Sequence, residues 1–170
     1  MNNKNKFNNI YLSLIPLVLG VFIAADDQTV MVTILPEIMR DTHSQITELD
    51  NISWIITAYL LGYLCVIPFM GSVSDVVGRQ KSFVISMGIF ILGSVLVAIA
   101  PLDWNFIGLN SFDSDFSKIS VKYLVFVRVI QAVGAGALLP IGIAAIGDMF
   151  SSSKRAFPMG VLSSAAEAGG

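Results

Sequence analysis

The chain has 170 residues, 55% hydrophobic and 13% charged, with a formal net charge of −2 and a mean hydropathy of +0.76. Globular chains carry about 25% charged residues, and the few charges here sit in short segments between long apolar runs, which argues against a soluble domain and a nucleic-acid partner. A single cysteine, Cys65, and a single histidine, His43, exclude an intramolecular disulfide and leave no Cys/His cluster for a metal; no cofactor is expected.

Apolar runs of about 20 residues, the length that crosses a bilayer, predict an all-α membrane protein of about five transmembrane helices. Residues 1–9 read as a cytoplasmic N-terminal tail and residues 10–170 as an incomplete transmembrane bundle, with spans near 10–35, 53–72, 82–100, 123–146 and 157–170. Lys4 and Lys6 ahead of an apolar run ending in Ala24-Ala25 have the outline of a signal peptide. The run resumes through Val30-Met31-Val32 and further spans follow, so it is read as a retained first span.

Span 1 carries Asp26 and Asp27 side by side in an otherwise apolar stretch. An ionised Asp at the centre of a spanning helix costs roughly 2.5 to 3.5 kcal/mol, so such residues usually face a wet cavity, a partner charge or a proton path. Transport is therefore the first functional hypothesis. After span 2 comes Gly71-Ser72-Val73-Ser74-Asp75-Val76-Val77-Gly78-Arg79-Gln80-Lys81, where Asp75 and Arg79 are four apart and positioned to pair. Arg79 and Lys81 could simply hold this loop on the cytoplasmic side. Cations at the start of a helix oppose its dipole, however, so local stability does not select them and a packing or gating role is the stronger reading.

The interval 101–122 before span 4 is long and polar and is expected to be a mobile surface loop. Span 4 holds Arg128, about five residues in, which either snorkels to the outer interface or meets a partner in a cavity. Ala132, Gly136 and Pro140, spaced by four, with Gly134 between them, offer a small-residue face for close helix packing. In span 5, Glu167 lies ten residues beyond Phe157, roughly 15 Å deep, and reads as a cavity-facing carboxylate for protons or cationic substrate. Lys4, Lys6, Arg79, Lys81, Lys154 and Arg155 fall on one side of the bilayer against Arg40, Lys118 and Lys122 on the other, which orients the N-terminus to the cytoplasm of a cell-membrane protein.

These segments resemble the major facilitator superfamily. Gly71 to Lys81 is similar to its G-x-L-a-D-R-x-G-R-K loop, with Gly71, Asp75, Gly78 and Arg79 matching and Val76 and Gln80 replacing usual bases. Leu124 to Gly136 is similar to l-x-x-x-R-v-x-q-G-x-G, with Arg128 and Gln131 in place and Ala132 for the first Gly. Asp27 to Pro36, with Trp54, Tyr59, Leu60, Arg155, Met159 and Gly160, resembles the fourteen-span drug:proton antiporter branch. The Gly-Pro core of that branch's span 5 signature is missing from the chain, so antiport and symport stay open.

The resemblance implies a partial N-terminal bundle of a transporter working by alternating access, in which the loop after span 2 acts as a latch and Arg128 takes part in proton coupling. Asp27 lies about 10 Å and Arg128 roughly 8 Å below the outer face, so the two could meet. The adjacent carboxylates would then divide the work, one carrying the proton and the other facing Arg128, with Asp26, Asp27, Arg128 and Glu167 turned to one watery interior. The expected partners are the bilayer, protons, a lipophilic or cationic small molecule and the missing C-terminal spans. Alone, the chain is expected to be inactive. The alternatives are a proton-coupled uptake symporter and a non-transporting membrane protein that pairs helices through Ala132 and Gly136; an enzyme is not expected, because no nucleophile, base and orienting group form a recognisable set.

Overall fold

A computed structural model describes residues 3–41, 49–99 and 116–169, with side chains placed over 11–29, 33, 54–99 and 123–169. The described residues form α1 (Asn3–Asp41), α2 (Leu49–Val77), α3 (Arg79–Ile99), α4 (Phe116–Met149) and α5 (Ala156–Gly169), with a 3-10 turn at Ser152–Lys154 ahead of α5. Segments Tyr11–Thr29, Trp54–Val77, Arg79–Ile99 and Tyr123–Met149 are long and apolar enough to cross a membrane. The chain is an all-α, multi-pass membrane bundle.

The helices overrun the spans read from hydropathy. The stretch expected as a tail over 1–9 is helical from Asn3, and α1 continues past Pro36 to Asp41. Hydropathy marks the part of a helix that lies in lipid, whereas the backbone ladder propagates beyond it at little cost once nucleated. Of the expected loop 101–122, the part from Phe116 onward is the start of α4; residues 100–115, and Gly170, lie outside the described residues.

Spans 2 and 3 are separated by one residue. Gly78 adopts a φ of 99°, its N–H donates to the Ser74 carbonyl at 3.0 Å, and its own carbonyl accepts from Ser82 N–H at 3.0 Å. The helical ladder is thus nearly unbroken while the chain changes direction. An L-residue held at this positive φ would be strained by roughly 1–2 kcal/mol, which is why the turn falls on a glycine.

Helix α4 is the centre of the bundle: Ala132, Ala137, Leu138, Ile141 and Ile146 are fully buried, with α2, α3 and α1 packed around it and α5 resting mainly on α1. Lipid tails are as apolar as leucine, so hydrophobicity alone does not drive these contacts; close backbone approach does. A Cβ at Gly134 would press into the Phe90 backbone nitrogen of α3 and come within 2.7 Å of the Ser86 carbonyl, and one at Gly136 would lie 2.7 Å from the Tyr63 carbonyl of α2. Two glycines two positions apart therefore serve two different neighbours. Ala132, also on this face, meets α2 at Gly62. Large apolar side chains such as Leu64, Phe69, Val84, Leu92 and Phe126 point outward, as expected where lipid is the solvent.

Candidate functional site

The buried positions Leu14, Leu17, Val21 and Ala24 form a stripe along α1, and Asp27 continues it at a further spacing of three. Adjacent helical positions point about 100° apart, so Asp26 leaves the stripe and is exposed. On α4, Arg128 and Gln131 share a face through their i,i+3 spacing, and both are buried. Gly93 of α3 leaves room for this contact: a Cβ there would lie 2.7 Å from Gln131 Cβ.

The result is a polar cluster tied across three helices. Arg128 Nη1 donates to Asp27 Oδ2 at 2.6 Å and to Gln131 Oε1 at 2.6 Å. Gln131 Nε2 donates to Asp27 Oδ1 at 2.9 Å and to Ser94 Oγ at 2.8 Å, while Ser94 Oγ donates to the Phe90 carbonyl at 3.0 Å. Both carboxylate oxygens of Asp27 are thereby engaged. The Arg128 side chain is 3% exposed and that of Asp27 22%, so Arg128 does not snorkel to an interface.

A buried ion pair is poor evidence of stabilisation, because desolvation offsets most of its Coulombic attraction. What this geometry does is hold the Arg128 guanidinium against a carboxylate that retains some solvent access.

Of Asp26, Asp27, Arg128 and Glu167, expected to share one interior, two are in contact. Asp27 and Arg128 meet, but Asp26 is exposed and Glu167 borders a separate cavity of about 270 Å³ together with Gln28, Tyr63, Ala135 and Leu139. Gln28, next along from Asp27, lines that cavity with Val21, Ala24 and Ala25 of α1. Helix α5 is fixed beside it by Thr29 Oγ1, which donates to the Gly169 carbonyl at 3.1 Å.

At the other end of the bundle Arg79 forms a second hub. It pairs with Asp75 across one turn, donates from Nη1 to the Gly71 carbonyl at 3.1 Å and to Ser74 Oγ, and reaches α4 through Nε to Asp148 Oδ2 at 2.9 Å. Gly71 and Asp75, at the end of α2, are thus tied through Arg79 to α4, with Gly78 at the turn between them and Arg79, and Asp148 is the partner that spacing along the sequence does not name. The signal for it was charge placement: the loop carboxylates cluster on the opposite side of the bilayer, leaving Asp75 and Asp148 as the acids beside the basic end.

Asp75 and Asp148 are 60% and 63% exposed, so this hub contributes little to stability. A double-mutant cycle of Arg79→Ala and Asp148→Asn in detergent is expected to give a coupling energy of about 0.2–1 kcal/mol. A value well above that range would mean the hub is shielded from water.

The Major Facilitator Superfamily model matches residues 17–170. Over 151 residues the chain is 38% identical to a triacylglyceride transporter of Mycobacterium tuberculosis, covering 89% of this chain and 26% of that protein. A probable triacylglyceride transporter of Mycobacterium leprae is 34% identical over the same length, with 27% of it covered, and a triacylglyceride transporter of Mycolicibacterium smegmatis is 34% identical, with 24% covered. The chain thus spans about a quarter of the length of the relatives it matches. With nearly all of its length under one family model and its span 1, loop and span 4 motifs placed on α1, the Gly78 turn and α4, this chain belongs to the major facilitator superfamily.

Proposed function

We propose that this chain supplies the N-terminal spans of a proton-coupled exporter of lipophilic or cationic compounds in the cell membrane, oriented with its N-terminus in the cytoplasm. Asp27 carries the coupling proton and Arg128 is its counter-charge. Glu167, with Gln28 and Tyr63, lines the route of the cargo, and the Arg79 hub holds the α2–α3 turn to α4 as the bundle rocks. Family members build their central site between two halves of nested inverted repeats, so the remaining spans complete the pathway. The relatives are named for triacylglyceride, which makes a neutral lipid the first cargo to test.

The observation that supports this reading most is the Asp27–Arg128 pair. It is a charge pair placed among apolar helices where stability does not account for it. The experiment is a chimera in which this chain replaces the matching N-terminal part of the Mycobacterium tuberculosis relative, reconstituted in vesicles with an imposed pH gradient. Gradient-driven movement of labelled triacylglyceride is expected in the chimera and is expected to fall at least about a hundredfold in Asp27→Asn, the range associated with loss of a positioned proton-transfer group. Undiminished gradient-driven movement in Asp27→Asn would remove the proposal.

A further inference from the structure

Arg128 has an aromatic neighbour on α2 besides its hydrogen-bond partners. Its Cζ lies 5.1 Å from the centroid of the Tyr59 ring, on α2. Tyr59 is 4% exposed, and its ring is stacked with that of Tyr63, with centroids 6.2 Å apart and planes 20° from parallel. The Tyr59 hydroxyl and the Arg128 Nε–H are both buried without a hydrogen-bond partner among the described residues. The contact therefore runs through the face of the ring and not through its hydroxyl. Arg128 is gripped by hydrogen bonds at Nη1 and by an aromatic face, with its Nε edge unanchored.

Asp27 is the carboxylate bonded to Arg128 among the described residues; Gln131 and Ser94, the other members of the cluster, are uncharged. Once Asp27 takes up a proton, the guanidinium loses its counter-ion while its own side chain stays buried. An aromatic face beneath a desolvated cation is one of the few remaining sources of attraction. We propose that Tyr59 is a positioning residue that seats Arg128 on its ring while Asp27 is neutral, so that the guanidinium stays in register to receive the carboxylate when the proton leaves. This rests on the reading of Asp27 as the proton carrier, and it gives α2 a part in the coupling cluster.

The test uses the full 170-residue chain in lipid nanodiscs with Asp27→Asn standing for the neutral carboxyl, and follows Arg128 by nitrogen-15 side-chain NMR. With Tyr59 or Tyr59→Phe, Arg128 is expected to show one signal bearing the ring-current shift of the seated conformer. Replacement of residue 59 by phenylalanines with one, two and three ring fluorines weakens the negative face with little change of shape. Across that series the seated fraction relative to other conformers is expected to fall progressively, reaching about tenfold for three fluorines. A seated fraction that is constant across the series, or that is absent in Asp27→Asn with Tyr59 intact, would overturn the inference. The outcome is independent of the transport assay, so failure here and failure of the coupling reading are told apart.

Discussion

Gly134→Ala is expected to destabilise the bundle by about 1–3 kcal/mol, the usual cost of forcing extra volume into a well-packed contact. The atoms the new methyl group would meet are the Phe90 backbone nitrogen and the Ser86 carbonyl, the latter at 2.7 Å. Backbone atoms inside a helix cannot swing aside, so α3 would have to move bodily away from α4. That movement would also draw Ser94 from Gln131, whose hydrogen bond to it is 2.8 Å long. Gly88→Ala on the same helix is the control, because nothing lies within 4 Å of a Cβ there. Unfolding of the two variants in detergent separates a general effect of removing glycine from this particular contact. Equal stability would show that α3 and α4 are not packed at Gly134.

Arg128→Leu is expected to cost about 3–5 kcal/mol, because it leaves a mostly buried carboxylate with its counter-charge removed. Gln131 would still donate to Asp27 Oδ1 at 2.9 Å, but a neutral amide cannot replace the guanidinium. The double variant Asp27→Asn with Arg128→Leu is expected to recover most of that loss, since replacing both partners of a buried pair is often close to neutral. Arg128→Lys is not expected to rescue. A lysine offers a point charge in place of a planar fork that can lie on the Tyr59 ring while donating to Asp27. Stability measured for the four proteins reads the pair directly, and a double variant no better than Arg128→Leu would show that Asp27 is already neutral or solvated in the folded chain.

The membrane architecture was legible because it is written in long apolar runs, and the turn because Gly78 sits between two of them with Asp75 and Arg79 at pairing distance. Which aspartate turns inward was not legible. In a helix apolar on every side the 3.6-residue period is invisible, and only the burial of Leu14, Leu17, Val21 and Ala24 shows the stripe that ends at Asp27. Neutral members of the cluster carried still less signal: Ser94 reads as an ordinary span residue until α3 brings it to Gln131, and nothing in the sequence pairs Tyr59 with Arg128. Asp148 is 69 positions from Arg79, beyond the reach of any local spacing rule. Counting residues puts Glu167 in the last turn of α5, yet position along a helix does not fix which side of the bundle a side chain faces.

The most direct measurement is the count of protons moved per cargo moved. When a gradient of triacylglyceride is imposed across vesicles holding the purified chimera, proton movement coupled to the cargo is expected with the wild-type sequence and none with Asp27→Asn. Equal proton movement with both proteins would contradict the assignment of Asp27 as the proton carrier.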